Sequence, residues 1–178
     1  MAAWIFWPKN WISLHKVIPP DMLVYRIVHK MFSNSLFASG MKGRWNSEGN
    51  KVLYAAESIP LAFLENMVRR QGVGFNDDFK IMFIEIPDHA GLEAILIEDL
   101  PKSWRKPYDY SACLPKGDAW FQERKSLVLK VPSAVMPEAS NFVINTLHTD
   151  YNLVKIAGVT NLMPDPRIED ILKKYPRV

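Results

Sequence analysis

Cysteine is nearly absent: Cys113 is the only one in 178 residues. An intrachain disulfide and a cysteine-based zinc site are therefore excluded, and a reduced compartment suits the composition. Charge of one sign is scarce too. Lys+Arg exceeds Asp+Glu by 22 − 19 = 3, too little to argue a nucleic-acid surface from charge alone. Long apolar runs are missing as well. The longest near the start, Ala2 to Trp7, ends at Pro8, short of a signal-peptide core or a membrane span. The expectation is a cytoplasmic protein with no membrane contact and no direct nucleic-acid contact.

Glycine is sparse, with eight in the chain, and its spacing fits no phosphate loop. The nearest approach to a dinucleotide fingerprint is Gly72-x-Gly74, which lacks a third glycine. The Gly-Lys-Ser/Thr loop ending, the His-Glu-x-x-His metal motif and the Gly-x-Ser-x-Gly elbow are all absent. His15, His29, His89 and His148 are scattered. His89 and Glu93 stand four apart and would share a helical face, but nothing nearby completes a metal site. No metal is expected.

What remains is an ordinary globular composition, 48% hydrophobic and 23% charged. The length suits one domain. Residues 1–20 carry Trp4, Phe6, Trp7 and Trp11 and end in Pro19-Pro20. They read as an N-terminal arm before a single domain over 21–178. Leu23 to Val28 is a β-rich run with apolar residues on both faces. Residues 33–50 form a long polar loop with Gly40, Gly43 and Gly49, and long loops in compact domains are often functional. Val52 to Ala55 reads as a short strand. Ser58 caps a helix running to about Arg70, with Leu61, Leu64 and Val68 as its apolar stripe. Phe79 to Ile86 suits a central strand, Ser126 to Val131 another, and Phe142 to Ile144 a third. Residues 98–119, broken by Pro101, Pro107, Pro115 and Gly117, predict irregular structure or short helical turns. Residues 153–160 are ambiguous, and Ile168 to Tyr175 predicts a last helix.

Three places carry chemistry. Glu65 falls on the apolar stripe of its helix, where a charge is costly unless paired or functional. On pattern alone a salt bridge to Arg69, four residues on and in the favourable orientation, is slightly favoured. Arg44, in Gly43-Arg44-Trp45-Asn46, has the fork geometry for bidentate phosphate recognition, but on spacing alone an exposed loop arginine is the favoured reading. Tyr54 is either core or a ring for stacking. Ser133 reads as a turn hydroxyl, and Asn141 and Asn145 as strand-end caps.

Taken in order, these pieces resemble the RES domain family, named for an arginine, a glutamate and a serine. The likeness runs through Arg44-Trp45-Asn46, Val52-Leu53-Tyr54-Ala55 and Ala62-Phe63-Leu64-Glu65. It continues through Gly117-Asp118-Ala119-Trp120, Val131-Pro132-Ser133-Ala134-Val135, and Asn141 through Asn145 to His148. It covers about residues 22 to 165. Thr146 and Thr149 stand where the family pattern has prolines, which leaves a role for His148 open.

The resemblance implies an α+β fold like that of ADP-ribosyltransferases, with a split, mainly antiparallel β-sheet core flanked by helices. It implies the toxin of a toxin–antitoxin pair that degrades NAD by cleaving its nicotinamide–ribose bond. NAD is then a consumed substrate rather than a cofactor. The acceptor is water or inorganic phosphate, between which the sequence does not choose. Glu65 would stabilise the oxocarbenium-like transition state. Arg44 and Arg26 would hold the pyrophosphate or ribose, Tyr54 would stack on nicotinamide, Ser133 would orient the ribose or the carboxamide by hydrogen bonding, and Asn141 would bind substrate. The implied partner is an antitoxin with a helix-turn-helix domain, bound in a hetero-oligomer, with a homo-oligomer as the alternative. Transfer of ADP-ribose to a protein, and a non-catalytic interaction domain, are the competing readings.

Overall fold

A computed structural model describes residues 22–71, 78–168 and 170. Seven strands are present: β1 (Met22–His29), β2 (Val52–Ala56), β3 (Phe79–Ile86), β4 (Leu92–Ala94), β5 (Val128–Pro132), β6 (Ser140–Asn145) and β7 (Lys155–Asn161). They make one sheet in the order β4-β5-β6-β2-β1-β3-β7. All neighbours are antiparallel except β4 and β5. Among the described residues two α-helices, α1 (Ile59–Arg69) and α2 (Leu114–Glu123), flank the sheet. This is the expected α+β class.

The sheet is split at its centre. β1 pairs with β3 along its whole length, from Met22↔Ile86 to His29↔Phe79. With β2 it shares only Tyr25↔Ala56. The strands β1-β3-β7 therefore diverge from β4-β5-β6-β2 beyond one point of contact.

Both faces of the sheet are covered, which is why its strands read as apolar runs rather than clean alternations. Val24, Val28, Leu53, Ala55, Met82, Ile84 and Ile144 pack on one face. On the other, Val52, Leu129, Val131 and Val143 meet Trp120 and Phe121 of α2. Ile27 and Ala56 meet Leu61 and Ala62 of α1 there. Each such aliphatic burial is worth about 1.5–3 kcal/mol.

The N-terminus of α1 forms as its sequence dictates. The Ser58 side chain accepts from the Leu61 N–H, with proline in the first turn. The apolar stripe fades toward the other end: Leu61 is buried, whereas Val68 is 53% exposed. Val68 thus faces solvent in the last turn of α1.

Residues 98–119 are less irregular than expected, because a ten-residue helix, α2, opens at Leu114. Pro115 sits in its first turn, where there is no intrahelical bond to lose. Gly117 lowers helix propensity but is demanded by packing, since a Cβ there would run into the Trp45 carbonyl. β5 begins at Val128 rather than Ser126. The buried Ser126 hydroxyl is occupied elsewhere: it accepts from Trp120 Nε1 and donates to Glu93, both at 2.8 Å. Glu93 lies in β4 and His89 in the turn before it, so the two share no helical face. The ambiguous stretch 153–160 resolves mainly as β7. The arm over 1–20 lies outside the described residues, as does nearly all of the helix expected over 168–175. Among the described residues no helix is long and apolar enough to cross a membrane.

Gly117→Ala tests this packing. The obstacle is backbone, which cannot swing aside, so the substitution should cost about 3 kcal/mol or more. Thermal unfolding should show a midpoint lower by roughly 6–12 °C. An unchanged midpoint would mean that α2 does not press on residue 45.

Candidate active site

Strand register brings the central residues together before any side chain is considered. Asn141 pairs with Ala56 and Val143 with Tyr54 across β6 and β2, and Val131 pairs with Asn141 across β5 and β6. Directly opposed residues share a face. Tyr54 and Asn141 therefore lie on the face covered by α1 and α2, and Ser133 follows at the end of β5.

Glu65 reaches this point from α1. Its Oε1 accepts from Ser133 Oγ at 2.7 Å and from Asn141 Nδ2 at 2.5 Å. Ser133 is itself fully buried. Its Oγ also accepts the backbone N–H groups of Val135 at 3.1 Å and Met136 at 3.0 Å. Those two donors fix the hydroxyl so that its own proton points at Glu65. Ser133 is thus more than a turn hydroxyl, and Asn141 more than a strand cap. The alternative bridge from Glu65 to Arg69 does not form. Both donors converge on one oxygen, and Oε2 has no hydrogen bond among the described residues. The carboxylate is anchored by neutral groups and its charge is not cancelled.

Tyr54 and Arg44 form a second group. The Tyr54 hydroxyl donates to Asn46 Oδ1 at 2.8 Å and accepts the Trp45 N–H at 3.0 Å. Burial pushes this phenol up from its ordinary pKa, so it stays neutral and can make both bonds. Asn46, 1% exposed, spends its amide on the carbonyls of Met41, Ser47 and Asn50. The polar loop is therefore built around Asn46. Arg44 leaves it toward the segment before α2. There its guanidinium donates to the carbonyls of Trp104 and Lys106. It also lies 4.8 Å from the centre of the Tyr110 ring, within cation–π range.

Arg26 is placed apart. By register it alternates with Tyr25 and Ile27 and falls on the opposite face, where it donates to the Phe37 carbonyl at 3.2 Å. Burial, reinforced by the nearby charge of Arg69, lowers its guanidinium to about 10. Arg26 makes no hydrogen bond to Glu65, Ser133 or Asn141.

Other contributors carried weaker signals in the sequence. Asp118 of α2 accepts the Ser47 N–H at 2.9 Å, the Ser47 hydroxyl at 2.5 Å and Asn50 Nδ2 at 2.7 Å. It lies beside Gly117 in one of the family-like motifs, but spacing gave it no role. His148 caps a short turn, its Nδ1 accepting the Asp150 N–H at 3.1 Å. Thr146 bonds the Lys51 carbonyl at 2.6 Å. The first is a local cap, and the second ties the end of β6 to the residue before β2. Cys113 is fully buried and burial pushes its thiol up, which makes a poor nucleophile. A hollow of about 230 Å³ lies among Glu93, Lys116, Trp120 and Glu123. None of the residues above lines it.

Residues 23–167 match the RES domain. The chain belongs to the RES domain family. A protein named Toxin Res from Photorhabdus laumondii is 30% identical over 135 residues, covering 74% of this chain and 86% of that one. Another Toxin Res, from Yersinia enterocolitica, is 31% identical over 134 residues, 73% of this chain and 88% of the relative. A protein named Prs ADP-ribosylating toxin, from Sphingobium, is 33% identical over 141 residues, 76% and 88% of the two chains. Among solved structures, the Mycobacterium tuberculosis MbcT–MbcA toxin–antitoxin complex contains a chain with the same fold. The TM-score is 0.62 at 15% identity, with 86% of this chain and 90% of that one covered.

In this RES domain the loop bearing Arg44 is fastened by Asp118. Burial raises the Asp118 carboxyl, but the bonds from Ser47 and Asn50 outweigh it and hold the group below its ordinary pKa. A depressed carboxylate pKa contributes stability above the unfolded value, about 3.9, and loses it as pH falls through the folded one. Thermal midpoints measured from pH 7 to pH 2 should therefore fall less steeply on the acid side for Asp118→Ala than for the parent. Parallel curves would show that the clasp contributes nothing.

Proposed function

We propose that this RES domain is the toxin of a toxin–antitoxin pair and that it consumes NAD by breaking the nicotinamide–ribose bond. The observation that carries this reading is the state of Glu65. Its carboxylate is held through one oxygen by two neutral donors, meets no cation among the described residues, and keeps its second oxygen for a ligand.

That arrangement suits a reaction in which positive charge develops on a sugar. Nicotinamide in NAD is already a cationic pyridinium, so it can leave without a strong acid. The bond between the ribose C1″ and the ring nitrogen breaks, and its electron pair neutralises the ring. Positive charge passes to C1″ and its ring oxygen as an oxocarbenium-like species. A fixed anion beside C1″ lowers this barrier because its position needs no reorganisation as the charge appears. The acceptor oxygen then bonds to C1″. Inorganic phosphate attacks as an anion and gives ADP-ribose 1″-phosphate. Water gives ADP-ribose and passes its proton to Glu65 Oε2.

Tyr54, with its hydroxyl clamped, offers its ring to nicotinamide. Ser133 and Asn141 work by orienting Glu65. Arg44 and Arg26 serve the diphosphate side, where guanidinium forks match phosphate oxygens. The names of the bacterial relatives support the toxin reading. The neighbouring fold, found in a toxin–antitoxin complex, supports an antitoxin partner, which we assign a helix-turn-helix domain. One relative's name, an ADP-ribosylating toxin, favours a second reading in which a macromolecule is the acceptor.

Purified chain incubated with NAD, with and without phosphate, should release nicotinamide. Glu65→Gln keeps an oxygen for Ser133 and Asn141 but removes the charge, so release should fall about 10²-fold or more at an unchanged thermal midpoint. Product masses name the acceptor. ADP-ribose found on a macromolecule would favour the second reading, and no turnover by folded, partner-free protein would overturn the enzymatic one.

A further inference from the structure

The split in the sheet leaves a buried backbone group to be satisfied. β1 and β2 meet only at Tyr25↔Ala56. Continued in the same antiparallel register, the pairing would set Ile27 opposite Tyr54. Backbone groups along an antiparallel strand turn alternately to its two neighbours. The Lys30 N–H bonds the Asp78 carbonyl on the β3 side, so Ile27, three positions back, turns its carbonyl to the β2 side. No residue of β2 pairs with it, and Ile27 is buried, where a bare carbonyl is costly. Asn66 of α1 takes the vacant place. Its Nδ2 donates to the Ile27 carbonyl at 3.2 Å.

Asn66 directly follows Glu65. Consecutive side chains on a helix point about 100° apart. Glu65 reaches Ser133 and Asn141, at the end of β5 and in β6. Asn66 reaches β1. Two adjacent residues thus fasten one helix to both halves of the sheet, across the opening between them. One turn earlier, Leu61 and Ala62 pack with Ile27 of β1 and Ala56 of β2, so α1 straddles the split there too. The Asn66 amide adds little to stability. Its Oδ1 is buried and has no hydrogen-bond partner among the described residues. An orphaned buried acceptor costs at least as much as one neutral hydrogen bond contributes. What the Nδ2 bond supplies is position.

We infer that Asn66 is a positioning residue that straps α1 to β1 across the split and thereby sets where the Glu65 carboxylate stands. It acts through Glu65 and needs no contact with substrate. Reading its effect in NAD cleavage rests on the proposed function; the strap itself rests on the Ile27 carbonyl and the two adjacent anchors of α1.

The test uses the full chain with Asn66→Leu and Asn66→Ala, each alone and combined with Glu65→Gln. Asn66→Leu removes the donor and the orphaned oxygen together at similar volume, so the thermal midpoint should stay near the parent's. The kcat for NAD cleavage should fall about tenfold or more, since a misplacement of about 1 Å can cost 10²-fold, and KM should change little. Asn66→Ala should show the same loss. In the Glu65→Gln background either substitution should cost little further, because the group it positions has already lost its charge. Unchanged kcat in both variants would overturn the strap, as would an equal further loss on top of Glu65→Gln or a loss confined to Asn66→Leu. A crystal structure of Asn66→Ala reads the strap without any turnover. Glu65 should move out of hydrogen-bond reach of Ser133 or Asn141. Residue 65 unmoved, with both bonds kept, would overturn the strap. A displaced Glu65 in a chain whose parent leaves NAD intact would uphold the strap and overturn the proposed reaction.

Discussion

One carboxylate oxygen organises the site. Glu65 Oε1 accepts from Ser133 and from Asn141, so a helix, a strand end and a neighbouring strand are tied at one atom. Neither donor is charged. An arginine in either place would hold the side chain as firmly but would spend its negative charge, and a carboxylate so neutralised could do little for a cation forming beside it. Ser133 can fill this role because the Val135 and Met136 N–H groups take its lone pairs and leave its proton only one direction.

The second constraint is the opening in the sheet. A continuous seven-stranded sheet would have nowhere to admit a substrate at its centre. Here β1 and β2 touch at a single register pair, and the residues with chemistry gather around the divergence. Tyr54 faces α1 and α2 from one side, Arg26 lies on the other, and Asn66 satisfies a carbonyl in between. The polar loop that carries Arg44 owes its shape to groups distant in sequence: Tyr54 and Asn46 bind it from within, and Asp118 and Gly117 of α2 from outside. Arg44 is consequently presented from a rigid support. It is also engaged by the Trp104 and Lys106 carbonyls, which ties the segment before α2 to the same site.

Local patterns made much of the architecture legible. The Ser58 cap and the following proline marked the start of α1, and the apolar runs marked β1, β2, β3, β5 and β6. Residues 114–123 did not read as a helix because Pro115 and Gly117 argue against one locally. Pro115 is harmless in a first turn, and Gly117 answers a tertiary contact that no local pattern reveals. Glu65 stood out as a charge among apolar positions, but spacing alone offered Arg69 as its partner. Only the fold shows that Ser133 and Asn141, 68 and 76 residues away, hold it instead. Arg69 was legible as half of a surface ion pair.

The account stands on where the nicotinamide ribose sits. A crystal structure of Glu65→Gln with NAD measures this directly, since the variant should bind the substrate without consuming it. The account predicts C1″ beside the free oxygen or nitrogen of residue 65, nicotinamide against Tyr54, and the diphosphate toward Arg44 and Arg26. NAD lodged among Glu93, Lys116 and Trp120, or bound with its ribose away from residue 65, would contradict it.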